Sequence, residues 1–143
     1  MSSFYRTEPV GFAGQPDFWN AAVEIAWPGT PLALLSAVRE VERRVGRTRT
    51  FPNGPREIDV DILDVGGKRR DRTDPILPHP RLADRRFVLV PLAEIRPDWT
   101  DPRSGAGISD LLERVPKVPR VTRIGKVGQS VRNAASKPSA GDQ

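Results

Sequence analysis

The chain of 143 residues is long enough for one domain with a buried core. It contains no cysteine, which excludes disulfides, thiolate metal sites and a cysteine nucleophile. The formal net charge of +5 favours anionic partners, either nucleic acid or nucleotide phosphates, although a solvated basic surface would carry the same charge. No apolar run reaches the length of a membrane span and no signal-peptide core follows Met1, so we expect a soluble cytoplasmic protein without a membrane partner.

A strand is predicted over Phe18–Trp27, where apolar residues occupy alternate positions. The odd-numbered positions from Trp19 onward are expected to form its buried face. Asn20 then lies on the opposite face of the strand, together with Phe18.

A helix is predicted after this strand. Thr30 is a suitable N-cap, Pro31 a suitable first helical residue and Gly46 a suitable end. Apolar residues spaced by four, three and four positions form its buried stripe: Leu34, Val38, Val41 and Val45. Glu42 lies at the edge of this stripe, where a carboxylate needs a hydrogen-bonding partner.

The remaining elements are a strand at Ile58–Val65, a charged and proline-rich loop, a strand at Phe87–Leu92 and a short helix at Ile108–Val115. This order indicates an α+β fold, a ferredoxin-like α/β sandwich with a mostly antiparallel sheet. We assign residues 1–127 to this domain and expect the polar, basic tail at 128–143 to be disordered.

The stretch GPREIDVDIL, residues 54–63, places two aspartates one residue apart in a predicted strand. Residues i and i+2 of a strand share a face, so Asp59 and Asp61 are expected to point the same way. Two converging carboxylates repel unless they are solvated or hold a cation, and such oxygen ligands suit Mg²⁺ or Mn²⁺. The pair alone is equally consistent with the solvated face of an amphipathic strand.

Three arginines lie just before the paired acids, on a loop rich in glycine and proline: Arg47, Arg49 and Arg56. Guanidinium groups bind phosphates bidentately and stabilise charge that develops on a transferred phosphoryl group. Most arginine runs are solvated surface, but one that leads into paired acids favours a nucleotide phosphate site.

Four blocks of the sequence resemble the 6-hydroxymethyl-7,8-dihydropterin pyrophosphokinases of the folate pathway: SSFYRTEPVG, QPDFWNAAV, GRTRTFPNGPREIDVDIL and LPHPRLADRRFVLVPLAEI. The resemblance runs from Ser2 to about Leu112. It implies transfer of the terminal pyrophosphoryl group of ATP to the hydroxymethyl oxygen of a reduced pterin, with release of AMP. It also implies two Mg²⁺ ions held by Asp59 and Asp61.

The resemblance further implies a role for each of several residues. Asp59 and Asp61 would be catalytic, together with two phosphate-handling arginines, Arg47 and Arg56. The positions expected to contact the nucleotide are Glu42, Arg49, Ile62, His79 and Arg85. Those expected to bind the pterin are Thr7, Val10, Phe18, Asn20 and Phe87. Among them, the Asn20 amide would hydrogen-bond the pterin edge and the Phe87 ring would stack on it.

Without the resemblance, three of these residues have ordinary structural explanations. Asn20 would be a polar residue on a half-exposed strand, and Phe87 would belong to the core. His79 is the only histidine of the chain and lies between two prolines, so it would be a surface loop residue.

The chain also departs from the family pattern. Asn53 stands where tryptophan is common, and Phe18 lacks the hydroxyl of the usual tyrosine. The family's first strand and helix have no counterpart here, so we expect a fold truncated at its N-terminus, with apolar residues such as Trp19 or Val23 partly exposed. The alternatives to an active pyrophosphokinase are a non-catalytic nucleotide-binding remnant and, less expected, a basic RNA-binding module.

Overall fold

The structure, a computed structural model, describes residues 1–8, 17–46 and 58–126. The strands and helices within these ranges are, in chain order, β1 (Phe4–Thr7), β2 (Phe18–Asn20), α1 (Pro31–Val45), α2 (Arg86–Ile95), α3 (Ile108–Arg114) and β3 (Val121–Gly125), with a 3₁₀ turn at Leu82–Asp84. Three helices and an antiparallel three-stranded sheet confirm the predicted α+β class.

The chain divides into two compact units. The first holds the described parts of Met1–Glu24, Arg81–Asp101 and Gly105–Gln143, and therefore the sheet, α2 and α3. The second holds the described parts of Ile25–Pro80 and Pro102–Ser104, and therefore α1 and the paired acids.

The central strand of the sheet is β1, and the strand order is β2-β1-β3 with both pairs antiparallel. Tyr5 lies opposite Asn20 on β2 and opposite Arg123 on β3, and Thr7 lies opposite Phe18. Neither β1 nor β3 was predicted from the sequence. Both are short and contain an arginine, so neither shows a sustained alternation of apolar and polar residues.

The predicted strand Phe18–Trp27 is only partly correct, because β2 ends at Asn20. Beyond that point the chain is held by Ser2. The Ser2 N–H donates to the Ala22 carbonyl and the Ala22 N–H donates to Ser2 Oγ, both at 2.8 Å.

The buried face predicted for this segment is wrong. The side chains of Trp19, Val23 and Ile25 are 58%, 60% and 59% exposed. Alternating apolar residues indicate an amphipathic segment, but they do not show that another layer of the fold covers its apolar side. The expectation that Trp19 and Val23 are partly exposed is confirmed.

Residues 87–92 belong to α2, so the strand predicted there was wrong. A continuous apolar run does not distinguish a buried strand from a buried helix. Pro91 was a signal against a central strand, because proline cannot donate to a strand ladder. Leu89 is fully buried and Leu92 nearly so, and their spacing of three places both on one side of the helix.

The strand predicted at Ile58–Val65 was also wrong, since no regular element is assigned to this segment. A strand needs backbone hydrogen bonds to a neighbouring strand. As far as the described residues go, no ladder includes this segment. The Leu63 carbonyl instead accepts a hydrogen bond of 2.8 Å from the His79 N–H.

Two predicted helices are confirmed, α1 and α3. The Thr30 hydroxyl caps α1 at its start, and Gly46 follows its last residue. Of the predicted apolar stripe, Leu34 is buried, whereas Val41 and Val45 are 49% and 43% exposed. Periodicity therefore located the helix better than it located its buried residues.

The first unit contains most of the buried apolar residues that the structure describes, on β1, α2, α3 and the segments between them. These are Tyr5, Ala22, Leu82, Leu89, Leu92, Trp99, Ile108, Leu111 and Val115. None of the described helices has the length and apolar character needed to cross a membrane.

Candidate active site

The paired acids lie in the second unit, after a segment that is not described. Asp59 and Asp61 are exposed, whereas Ile58, Val60 and Ile62 are half-buried. The alternating exposure supports the expectation that the two carboxylates face the same side, although no strand is assigned here. Two carboxylates on one solvent-facing side can share a small cation.

Glu42 supplies a contact between α1 and the paired acids. Its half-buried carboxylate accepts, at Oε2, a hydrogen bond of 3.0 Å from the Val60 N–H. Val60 stands between Asp59 and Asp61, so this bond holds the backbone from which both carboxylates project. A partner for the Glu42 carboxylate was expected from its position at the edge of the apolar stripe, and this backbone N–H is one.

His79 lies close to the residues that follow the acids. Its N–H donates to the Leu63 carbonyl at 2.8 Å, and the residue is half-buried. The residues before it form a closed turn, in which Arg70 and Leu77 exchange two backbone hydrogen bonds of 2.9 Å. His79 is thus joined by a backbone hydrogen bond to Leu63, the residue that follows Ile62.

The carboxylate groups of this site suit one kind of metal ion. Across the part of the chain that is described, no group of three or more histidine, cysteine, aspartate or glutamate side chains could hold a metal. Mg²⁺ is commonly bound by only one or two carboxylates and completes its shell with water and substrate phosphates. The exposed pair of Asp59 and Asp61 therefore fits Mg²⁺ bound together with a phosphate substrate, and not a metal enclosed by protein.

The predicted pterin-binding residues that are described lie in the first unit. Thr7, Phe18 and Asn20 are on adjacent strands, and the pairing of Thr7 with Phe18 places all three on one face of the sheet. Thr7 is only 4% exposed, and its Oγ1 has no hydrogen-bond partner among the described residues. A buried hydroxyl is costly to leave without a partner, and because this one is enclosed it does not mark a surface that is open to a ligand.

Phe87 and Arg85 lie together at the start of α2. The guanidinium carbon of Arg85 is 5.6 Å from the centre of the Phe87 ring, within the range of a cation–π interaction. Both residues are half-buried, and α2 contacts β1 and β2. Phe87 is thus neither the strand residue nor the fully buried core residue that its apolar neighbours predicted.

Four predicted site residues lie outside the described residues: Val10, Arg47, Arg49 and Arg56. The described ones divide between the two units. Thr7, Phe18, Asn20, Arg85 and Phe87 belong to the first unit, and Glu42, Asp59, Asp61, Ile62 and His79 belong to the second.

Sequence reasoning missed a polar cluster around Glu94 on α2. This carboxylate accepts hydrogen bonds from the Tyr5 hydroxyl, from the N–H and Oγ of Ser3 and from Lys126 Nζ, at distances from 2.5 to 3.1 Å. Burial, followed by the bond to Glu94, raises the pKa of Tyr5 to about 12. Burial by itself would raise the pKa of Glu94, but the hydrogen bonds outweigh it and lower that pKa to about 2. The cluster ties β1 to α2.

Arg103 is a second residue that sequence reasoning missed. It contacts the turn before His79, and its partners are Asp71, Leu77 and Pro78. A lone arginine in a proline-containing loop gives no signal of a partner more than twenty residues earlier in the chain, so no sequence pattern could have found this contact.

Known proteins resemble the chain over most of its described part. The sequence profile of the family described as 7,8-dihydro-6-hydroxymethylpterin-pyrophosphokinase matches residues 1–97. A 2-amino-4-hydroxy-6-hydroxymethyldihydropteridine pyrophosphokinase of Synechocystis is 42% identical over 114 residues, which cover 80% of this chain and 58% of the relative. A protein of the same name from Bacillus subtilis is 45% identical over 95 residues, which cover 66% of this chain and 57% of the relative.

A more distant relative is a folic acid synthesis protein of Pneumocystis carinii. It is 36% identical over 114 residues, which cover 80% of this chain but only 15% of that protein. The chain thus spans somewhat more than half the length of the first two relatives. The range that the family profile matches contains every predicted site residue, whereas Arg103 lies beyond it.

Proposed function

The chain belongs to the 7,8-dihydro-6-hydroxymethylpterin-pyrophosphokinase family, and on that premise we propose that it transfers the terminal pyrophosphoryl group of ATP to 6-hydroxymethyl-7,8-dihydropterin, in folate biosynthesis. The pterin hydroxymethyl group loses its proton to water and its oxygen forms a bond to the β-phosphorus of ATP. The bond from that phosphorus to the oxygen bridging the α-phosphorus breaks, and AMP leaves with that oxygen. The observation that carries the proposal is the pair of exposed acids, Asp59 and Asp61, with the residue between them hydrogen-bonded to Glu42.

Asp59 and Asp61 are the residues that would hold Mg²⁺, which when bound neutralises charge on the triphosphate and stabilises the transferring group. Both are exposed and separated by one residue, which leaves room for phosphate oxygens and water on the same side. We propose two ions, as the family resemblance implies.

The nucleotide would be bound by residues that precede and follow these acids. Arg47, Arg49 and Arg56 are proposed to contact the phosphates, because guanidinium groups match phosphate oxygens bidentately. His79 and Arg85 are proposed as further nucleotide contacts. The half-buried Ile62 would supply an apolar surface for the base.

The pterin would be bound by residues of the first unit. The Asn20 amide offers both a donor and an acceptor to one edge of a planar ring. Thr7 is proposed to line the pterin pocket, and Phe87 offers an aromatic ring for stacking. Phe18 is 58% exposed and could cover the ring only through its apolar surface, since it has no hydroxyl. With Val10, these residues form the proposed pterin set.

The test of the proposed function is AMP release by the purified chain in the presence of ATP, Mg²⁺ and the reduced pterin. We expect AMP and the pterin pyrophosphate in equal amounts, and neither product without Mg²⁺ or without the pterin. Binding of MgATP without AMP release would identify a non-catalytic nucleotide-binding protein and contradict the proposal. Absence of both binding and turnover would contradict it as well.

A further inference from the structure

Arg103 forms a dense set of hydrogen bonds on one turn of the second unit. Its Nη1 donates to the Pro78 carbonyl at 2.7 Å, and its Nη2 donates to the Leu77 carbonyl at 3.0 Å. Its Nη2 and Nε also donate to Asp71 Oδ1, at 3.0 and 3.3 Å. The side chain is 29% exposed, so the guanidinium is largely shielded from water.

The two carbonyls that Arg103 binds belong to the residues immediately before His79. Leu77 is fully buried and is also fixed by its two backbone hydrogen bonds to Arg70. The next N–H in the chain, that of His79, donates to the Leu63 carbonyl. The backbone that carries the imidazole is therefore held on one side by Arg103 and on the other by the segment that follows the paired acids.

The geometry requires arginine in particular. A planar guanidinium presents several N–H groups in a fixed fork, so it can bind two successive carbonyls and a carboxylate at the same time. A lysine ammonium is a single donor centre on a flexible stem and cannot reproduce that fork. Asp71 accepts from the guanidinium and so sets its orientation toward the two carbonyls.

We propose that Arg103 is a positioning residue for His79: it fixes the turn from which the imidazole reaches the nucleotide. The inference rests on the proposed function, because it gives His79 a nucleotide to contact. Arg103 itself touches no substrate in this scheme. It lies beyond residues 1–97, so it is a feature of this chain outside the part matched by the family profile.

The test uses the fact that the chain has a single histidine. Its imidazole gives one set of ring C–H signals in a proton–carbon correlation NMR spectrum, so no assignment is needed. The 143-residue chain is titrated with Mg²⁺ and a non-hydrolysable ATP analogue. The imidazole signal is followed in the parent, in Arg103→Met, in Arg103→Lys and in Arg72→Met. Arg72 is an exposed arginine on the turn that Arg103 binds and serves as the matched control.

In the parent we expect the imidazole signal to shift as the analogue binds. In Arg103→Met the half-saturating analogue concentration should rise about tenfold, because a displaced contact residue loses much of its contribution. The half-saturating concentration for Arg103→Lys should lie between those for Arg103→Met and the parent. For Arg72→Met it should equal the parent's value. The affinity for the reduced pterin should be unchanged in all variants, which a general loss of structure would not produce.

Equal half-saturation in the parent and in folded Arg103→Met would overturn the inference while leaving the proposed function intact. If circular dichroism shows that Arg103→Met is unfolded, Arg103→Lys decides, and parental affinity in that variant would overturn the inference. An imidazole signal that stays in place while the parent releases AMP would remove His79 from the nucleotide site and overturn it too. If the parent neither binds the analogue nor releases AMP, the proposed function fails and the inference fails with it.

Discussion

Glu42 and Val60, 18 residues apart in the chain, are joined by a hydrogen bond of 3.0 Å from the Val60 N–H to the Glu42 carboxylate. The bond connects a helix to the residue between two aspartates, so the helix limits how far the paired carboxylates can move. A carboxylate that accepts from a backbone N–H forms a strong bond, because one partner is charged.

The first prediction concerns this bond. Glu42→Ala should raise the Mg²⁺ concentration needed for half-maximal AMP release about tenfold, because loss of a support behind metal ligands commonly costs that much affinity. Glu42→Gln should retain most of the parent's behaviour, since its amide oxygen can still accept from Val60. The control is Glu40→Ala on the same helix, where the carboxylate accepts from Arg43 and Arg44. Equal Mg²⁺ dependence in Glu42→Ala and Glu40→Ala would contradict the prediction.

A second prediction concerns the acids themselves. Asp59→Ala and Asp61→Ala should each abolish Mg²⁺-dependent AMP release while leaving the circular dichroism spectrum and melting temperature close to those of the parent. Each change removes a proposed metal ligand, and both side chains are exposed, where loss of a side-chain interaction costs little stability. Activity within tenfold of the parent in both variants would show that these acids do not hold the catalytic metal.

A third prediction separates the two proposed substrates. Asn20→Ala should weaken pterin binding by about 1 to 3 kcal/mol, because polar groups on the ring edge lose their partner. The affinity for MgATP should change little. Calorimetric titration with each ligand measures the two effects independently. Similar losses for both ligands would indicate damage to the fold and not loss of a pterin contact.

The Glu94 cluster predicts how the stability of the chain depends on pH. The folded-state pKa of Glu94, about 2, lies below its ordinary value of 4.5. The carboxylate therefore stabilises the fold above about pH 5, and this contribution is lost as the pH falls toward 2. The folded-state pKa of Tyr5 is raised from 10.0 to about 12, so its contribution is present below pH 10 and is lost as the pH rises through 12.

Glu94→Gln tests the acid side of this prediction. At pH 7 the variant should lose about 1 to 3 kcal/mol of unfolding free energy, because the donors around the carboxylate lose a charged acceptor. The difference from the parent should narrow as the pH falls below about 3, where the parent carboxyl also becomes neutral. Urea unfolding at several pH values measures it, with Glu113→Gln, an exposed glutamate of α3, as control. A difference that is independent of pH would exclude the carboxylate charge as its source.

The elements that could be predicted from the sequence are those set by interactions within a few residues. The start of α1 was correct because Thr30 and Pro31 act within one turn. The strand predicted at Phe87–Leu92 was wrong because a continuous apolar run has no period that distinguishes a strand from a helix. Tertiary packing determines which of the two forms. β1 was missed because its stability comes from pairing with β2 and β3, which a window of a few residues does not contain.

The candidate site likewise has features that the sequence could predict and features that it could not. A common side for Asp59 and Asp61 was expected from a spacing of two in a strand. No strand is assigned there, and the structure shows only that both residues are exposed. The need of Glu42 for a partner could be predicted, but the identity of that partner could not. The roles of Arg47, Arg49, Arg56 and Val10 rest on the family resemblance, since these residues lie outside the described part of the chain.

The pairing of β1 with β3 also has a consequence for the order of events during protein synthesis. Ser3 and Arg123 are in hydrogen-bond contact although 120 residues separate them in the chain. The central strand of the sheet therefore leaves the ribosome more than a hundred residues before β3 and receives its second neighbour only when β3 has emerged. Until then one edge of β1 has unpaired N–H and carbonyl groups, a state in which strands bind other chains. The sheet thus has high contact order for its size, and we expect it to form late and slowly relative to α1, whose contacts are local.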